Sequence, residues 1–133
     1  MIPRLLVSSG LCLGLFGDPN PYDKARLIQL TLRNSAPSVA CEETALLAEL
    51  LKRGVRPNPI SPVAWASTVE DLIRFKGKLI LCEHLDWLQR GASIALIEEE
   101  GRPAVYLNEA NIQASGVQLP ESVLHFGRKV IVP

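Results

Sequence analysis

The chain carries no excess charge: 14 Lys plus Arg are matched by 14 Asp plus Glu across 133 residues. It therefore lacks the electrostatic footprint that draws nucleic acid or an anionic membrane, and nucleic acid is not an expected partner. Cysteine is scarce. Cys12, Cys41 and Cys82 are odd in number and far apart, which makes a poor disulfide framework. One bridge with one free thiol fits an oxidising compartment; three partly buried thiols is the plainer expectation. No CxxC or Cys/His pair has zinc-ligand spacing, so no metal is expected. There is no Gly-Lys-Ser/Thr phosphate loop and no GxGxxG. Gly14 and Gly17 lie near a strand end, but Asp18-Pro19-Asn20-Pro21 puts an acid and prolines where a pyrophosphate needs free backbone N–H groups. No cofactor is expected.

A long hydrophobic run is missing as well. The apolar stretch Leu5 to Gly17 is shorter than the roughly 20 residues a helix needs to span a bilayer. With Arg4 ahead of it, the stretch resembles a secretory signal. Gly14-Leu15-Phe16-Gly17, however, offers no clean small-x-small cleavage site. The competing expectation is a buried strand, Leu11 to Phe16, that turns at Gly17-Asp18-Pro19-Asn20-Pro21. The length suits one domain, residues 1–133, able to bury roughly two-thirds of its unfolded surface. Hydrophobic residues at 47% and charged residues at 21% argue against disorder.

Periodicity predicts helices over Tyr22–Arg33, Glu42–Arg53 and Thr68–Phe75. Pro21 and Asp23 suit the start of the first; Lys52, Arg53 and Gly54 suit the end of the second. Thr68 is a candidate N-cap for the third, with Asp71 where a capping box prefers Glu or Gln. Ser38–Cys41 reads as a short strand. Pro57, Pro59 and Pro62 make Val55–Pro62 an edge strand or an extended connector. Lys78–Cys82 is a near-continuous apolar run, as in a strand covered on both faces. Leu85–Arg90 is a turn stopped at Gly91. Ser93–Glu98 and Ala104–Leu107 flank a Gly/Pro loop and form a hairpin. A helix follows from Asn108 to Ala114, stopped by Ser115-Gly116. Pro120–Leu124 is a last helical turn and Lys129–Val132 a terminal extension. The predicted class is α/β: a mixed central sheet flanked by helices, with a C-terminal antiparallel hairpin followed by a helix.

Candidate chemistry is thin. Cys82, Glu83, His84 and Asp86 gather at a strand's C-terminal end, where α/β sites lie, and a small hydrolase would use Cys82 and His84. A buried thiol beside a solvated histidine is the favoured expectation, so no catalytic residue is assigned. His125, beside Phe126, is read as a packing or surface residue. Three consecutive glutamates, Glu98 to Glu100, splay in different directions and suit a solvated hairpin tip better than a calcium loop. Trp65 and Trp87 fall in connectors, where either could contact a ligand or a partner or simply pack in the core.

The second half carries a more specific pattern. Lys76-Gly77-Lys78-Leu79-Ile80-Leu81 precedes Gly91-Ala92-Ser93-Ile94. Glu100-Gly101-Arg102, Val105-Tyr106-Leu107-Asn108 and Ala114-Ser115-Gly116-Val117 follow, and Leu124 and Gly127-Arg128-Lys129-Val130 complete the run. Gly14-Leu15-Phe16-Gly17-Asp18, Ile60-Ser61 and the Thr68–Phe75 helix fit the same register. The run resembles the YfiR-type family (YfiR/HmsC-like), with its Gly-x-x-Ile strand, hairpin, aromatic–x–Asn step and Ala-x-x-Gly-(Leu/Val) helix end. The chain departs from it in having no room for both a signal peptide and a further helix before the early strand. It is thus either shortened at its N-terminal end or carries a signal-like segment at residues 1–17.

The resemblance implies a non-enzymatic domain that regulates membrane-bound diguanylate cyclases, and so cyclic-di-GMP, or kinases. It would act by protein–protein contacts, as a homodimer. The implied location is periplasmic; if residues 1–17 form a core strand and no signal precedes them, a cytoplasmic location follows instead. The motif residues Gly91, Asn108 and Gly116 would be structural: the glycines in tight turns, Asn108 capping a helix. The alternative expectation is a small-molecule-binding α/β module.

Overall fold

Asn20 starts the first helix by accepting the Asp23 backbone N–H on its side chain at 2.8 Å, and Pro21 occupies the first helical position. The computed structural model describes residues 16–17 and 19–130. Strand β1 is Phe16–Gly17 and helix α1 is Pro21–Thr31, continued by one 3₁₀ turn, Leu32–Asn34. Of the predicted early strand, Leu11 to Leu15 lie outside the described residues.

Strand β2 (Ser38–Val39), helix α2 (Thr44–Lys52) and edge strand β3 (Arg56–Pro57) follow. Helix α2 starts two residues later than the pattern suggests: Glu43 is its extended N-cap, and Glu42 and Glu43 spend their side chains on ion pairs with Arg74 and Lys24. Next come β4 (Val63–Trp65), α3 (Val69–Arg74) and β5 (Leu79–Cys82). The sequence places Trp65 in a connector; the structure places it in β4. Three residues after a proline-rich stretch are too few to show alternation, but Val63, Ala64 and Trp65 are all fully buried. At α3 the Asp71 carboxylate completes a capping box with Thr68.

A six-residue 3₁₀ segment, Leu85–Arg90, leads through Gly91 to the β6–β7 hairpin (Ile94–Glu99 and Arg102–Leu107). The turn is tighter than the predicted loop. Only Glu100 (φ 52°) and Gly101 (φ 79°) lie outside the ladder, as a two-residue primed turn demands. Pro103 sits inside β7, opposite Glu98, where β7 has no second neighbour among the described residues and loses nothing by lacking an N–H. Helices α4 (Glu109–Ser115) and α5 (Glu121–Phe126) lead to β8 (Arg128–Lys129), which pairs parallel with β7.

The main sheet runs β4–β5–β6–β7–β8, parallel from β4 to β6 and antiparallel at β6–β7, with β1 antiparallel to the far end of β6. The parallel pair β2–β3 joins it through a bridge between Ala40 and Ala64. The architecture is the predicted one: a mixed sheet flanked by helices, with a C-terminal hairpin and then a helix. Alternate residues divide between two cores. Val63, Trp65, Leu79, Leu81 and Ile94 face α1, α2 and the apolar sides of α4 and α5. Ala64, Ile80, Cys82 and Ala95 face α3 and the Trp87–Leu88 turn. Strand β5 is thus apolar throughout because both its faces are covered.

Candidate functional site

From β2 the chain moves outward to β3 and then returns to β4 on the other side. The carboxyl ends of the two strands flanking such a reversal are the usual ligand position in open α/β sheets. Here that position holds Cys41, Glu42 and Glu43 after β2, Ala66 and Ser67 after β4, and Glu83 after β5.

Lys24 enters from α1. It sits on the helix face that also buries Ala25, Leu27, Ile28 and Thr31, so its ammonium is carried into the protein. Its Nζ lies 2.9 Å from Glu43 Oε2 and 3.0 Å from Glu83 Oε2. Burial works against the ammonium, but the hydrogen bonds and charges of Glu43 and Glu83 outweigh it, and the pKa stands above the ordinary lysine value. Lys24 therefore stays protonated and does not act as an amine nucleophile.

Glu43 gathers the rest. Its Oε1 accepts from Trp65 Nε1 at 3.3 Å and from Ser67 Oγ at 3.2 Å. The Lys24 ammonium also lies 5.4 Å from the Trp65 ring centroid. The network continues through Ser67, whose backbone N–H donates to Asp71 Oδ2 at 2.9 Å. Arg74 closes it, 2.6 Å from Asp71 Oδ1 and 2.7 Å from Glu42 Oε2. Glu42, Glu43, Asp71 and Glu83 are thus set against two cations, Lys24 and Arg74, and the network carries a negative surplus.

The residues singled out from sequence fall elsewhere or take other parts. Trp65 is a strand residue with no exposed surface, and it meets the network through its Nε1 and through its ring, which faces the Lys24 ammonium. Trp87 is buried on the opposite face of the sheet, its ring 4.2 Å from that of His84. Neither ring is open to a ligand or a partner. Cys82 donates to the backbone carbonyl of His84 rather than to its imidazole, at 3.3 Å. Burial pushes its thiol up to about 12, so at neutral pH it is no nucleophile. Cys41 and Cys82 are both free and lie in different cores, so they do not bridge each other; Cys12 lies outside the described residues.

Gly91 (φ 111°) and Gly116 (φ 74°) hold left-handed backbone at the ends of their helical segments. Asn108 caps α4 through the Asn111 N–H, and its Nδ2 donates to Leu88 O at 2.8 Å. Asn111 Nδ2 adds a bond to Ala92 O, also at 2.8 Å. Glu99 at the hairpin is held by Tyr106 and Arg128 at 2.7 and 2.6 Å. Among the described residues no group of His, Cys, Asp and Glu has the arrangement of a metal site, and no helix is long and apolar enough to cross a membrane.

Sequence reasoning missed Lys24 and Glu43, and it grouped Glu83 with Cys82 and His84 rather than with the lysine it pairs with. One signal was available: a lysine inside the apolar stripe formed by Ala25, Leu27 and Ile28 must be paired if the helix packs on a sheet.

The geometry defines a mixed-sheet α/β domain with an ion network at the carboxyl edge of its parallel strands. Two solved structures share that fold. One is a conserved domain protein from Vibrio cholerae O1 biovar El Tor strain N16961, with a TM-score of 0.63 and 14% identity over 84% of this chain. The other is an ABC domain from Streptococcus pneumoniae solved in complex with L-Trp, with a TM-score of 0.60 and 15% identity over 86% of this chain. The chain spans 60% and 63% of their lengths. No family model and no curated protein matches the chain.

Proposed function

We propose that the chain is a non-enzymatic regulatory domain of the YfiR-like type, acting by protein contact on a membrane-bound diguanylate cyclase or kinase. The observation that carries this reading is the Lys76–Val130 run: its three motif residues all have backbone roles. Gly91 and Gly116 supply left-handed turns, and Asn108 ties α4 to the Leu85–Arg90 turn. The network of Lys24, Glu43 and Glu83 supports it from the other side, since its lysine is held charged between two carboxylates. The reading carries with it a periplasmic location and a homodimer. The test is to produce the native full-length protein together with a membrane diguanylate cyclase encoded beside its gene and to measure cellular cyclic-di-GMP. A several-fold fall is expected. Unchanged output with every neighbouring membrane cyclase and kinase would sink the proposal.

A second reading, a small-molecule-binding module, is favoured by one observation: the ion network at the strand-order reversal has more carboxylates than cations. Such a module would take a ligand bearing an ammonium group. The likeness to a domain solved with L-Trp makes amino acids the first compounds to screen. A thermal-shift screen of amines and amino acids in which nothing raises the melting temperature would count against it.

A further inference from the structure

Helix α1 has a second face. Tyr22, Arg26, Gln29 and Arg33 recur at i, i+4, i+7 and i+11, on the side away from the sheet. Together with Leu30 and with Arg53 beyond the end of α2, they line a groove of about 430 Å³. Three guanidiniums and no carboxylate face it. In a chain whose net charge is zero, that is a marked local asymmetry. One guanidinium is already fixed. Arg53 Nη1 donates to Gln29 Oε1 at 2.9 Å, and its guanidinium carbon lies 4.6 Å from the Tyr22 ring centroid. Glu49 Oε2 lies 3.7 Å from its Nε. Arg26 and Arg33 are exposed, and Tyr22 is 53% exposed. Arginine and tyrosine are the residue types that carry most binding energy at protein interfaces, and guanidinium forks match carboxylates in pairs.

We infer that this groove docks an acidic segment of a partner protein. Carboxylates of the segment pair with the exposed Arg26 and Arg33, Arg53 adds positive charge from the groove wall, and an apolar side chain lies against Tyr22 and Leu30. The apolar wall and the short reach favour a polypeptide over a nucleic-acid strand, which follows a long basic track. The inference deepens the regulatory proposal by naming its contact surface, and it rests on that proposal for the identity of the partner.

The experiment uses the full chain and a fluorescein-labelled peptide of about twelve residues, rich in Asp and Glu with one Phe, read by anisotropy at low salt. Saturable binding that weakens as salt rises is expected. Arg26→Glu/Arg33→Glu lowers affinity at least tenfold. Arg26→Lys/Arg33→Lys, which keeps the charge but loses the fork, lowers it several-fold. Arg90→Glu/Arg102→Glu, with two exposed arginines from outside the groove, leaves it unchanged. Circular dichroism checks that each variant folds. Absent binding, an equal loss in the Arg90/Arg102 variant, or equally tight binding of a single-stranded DNA oligonucleotide would overturn the inference. Cyclic-di-GMP output separates the two claims. Regulation unaffected by Arg26→Glu/Arg33→Glu overturns the docking face and leaves the regulatory reading standing. Groove-dependent peptide binding without any regulation overturns the regulatory reading and supports the docking face.

Discussion

The Lys24 ammonium, carried on α1, sits 2.9 Å from Glu43 Oε2 at the start of α2. That contact pins one helix to another across the carboxyl edge of the sheet, and Glu83 extends it to β5. Replacing Lys24 by Met leaves two carboxylates facing each other without their shared cation. Their side chains keep 23% and 16% exposure and so rehydrate in part, which places the expected loss near the low end for a broken buried pair, about 3 kcal/mol. Adding Glu43→Gln removes one of the stranded charges. The double variant should be less destabilised than the sum of the singles by about 1 kcal/mol or more. Urea unfolding of the four proteins measures the coupling, and simple additivity would show that the contact carries no energy of its own.

Much of the fold is legible in the sequence because period and punctuation agree. Thr68 and Asp71 mark the start of α3, Gly91 and Gly116 mark segment ends, and the apolar run into Cys82 marks a doubly covered strand. What escapes is short or non-local. Strand β4 has three residues and exists because Ala64 and Trp65 pair with neighbours from both sides. The ion network joins Lys24, Glu43 and Glu83, whose sequence separations say nothing of contact until the strand order is known. Trp65 stands out in the sequence for its size, but its part at the site comes from its N–H to Glu43 and its ring beside the Lys24 ammonium, neither of which the sequence shows.

Gly127 is a close-approach glycine rather than a turn glycine. Its φ is −75°, yet a Cβ there would lie 2.6 Å from Leu107 Cγ and Cδ1. Leu107 is fully buried in β7 and has little room to move. Gly127→Ala should cost about 2 kcal/mol through overpacking. Combined with Leu107→Ala, which opens space at the same spot, its added cost should fall close to zero. Denaturation of both single variants and the double variant checks this; an undiminished cost on the Leu107→Ala background would mean that the clash is not the cause.

Asp71 makes part of the stability depend on acid. Burial raises its pKa, but the Ser67 and Thr68 N–H groups and Arg74 outweigh that and hold it below the ordinary value of 3.8. A carboxylate depressed in the folded state stabilises above its unfolded pKa and loses that contribution as pH falls through the folded pKa. Stability should therefore drop below about pH 4, with Asp71 supplying part of the slope. Asp71→Asn should cost about 2 kcal/mol at pH 7, the scale of hydrogen bonds to a charged group. It should also flatten the decline below pH 4. Melting curves from pH 2 to 7 measure both effects, and an unchanged acid slope in the variant would remove Asp71 from the account.

The two described thiols should be silent in the native state. Burial pushes Cys41 up to about 11 and Cys82 up to about 12, and both side chains are buried, so neither offers a thiolate to reagent at pH 8. Incubation with iodoacetamide at pH 8, followed by peptide mass spectrometry, should leave both unmodified. In urea both should be alkylated within minutes, as free thiols are. Native labelling then reports only openings of the fold, so its rate should rise in Lys24→Met and Gly127→Ala as stability falls. Rapid native modification of Cys82 would mean that its thiol is neither buried nor held by His84 O, and a nucleophilic role at the end of β5 would have to be reconsidered.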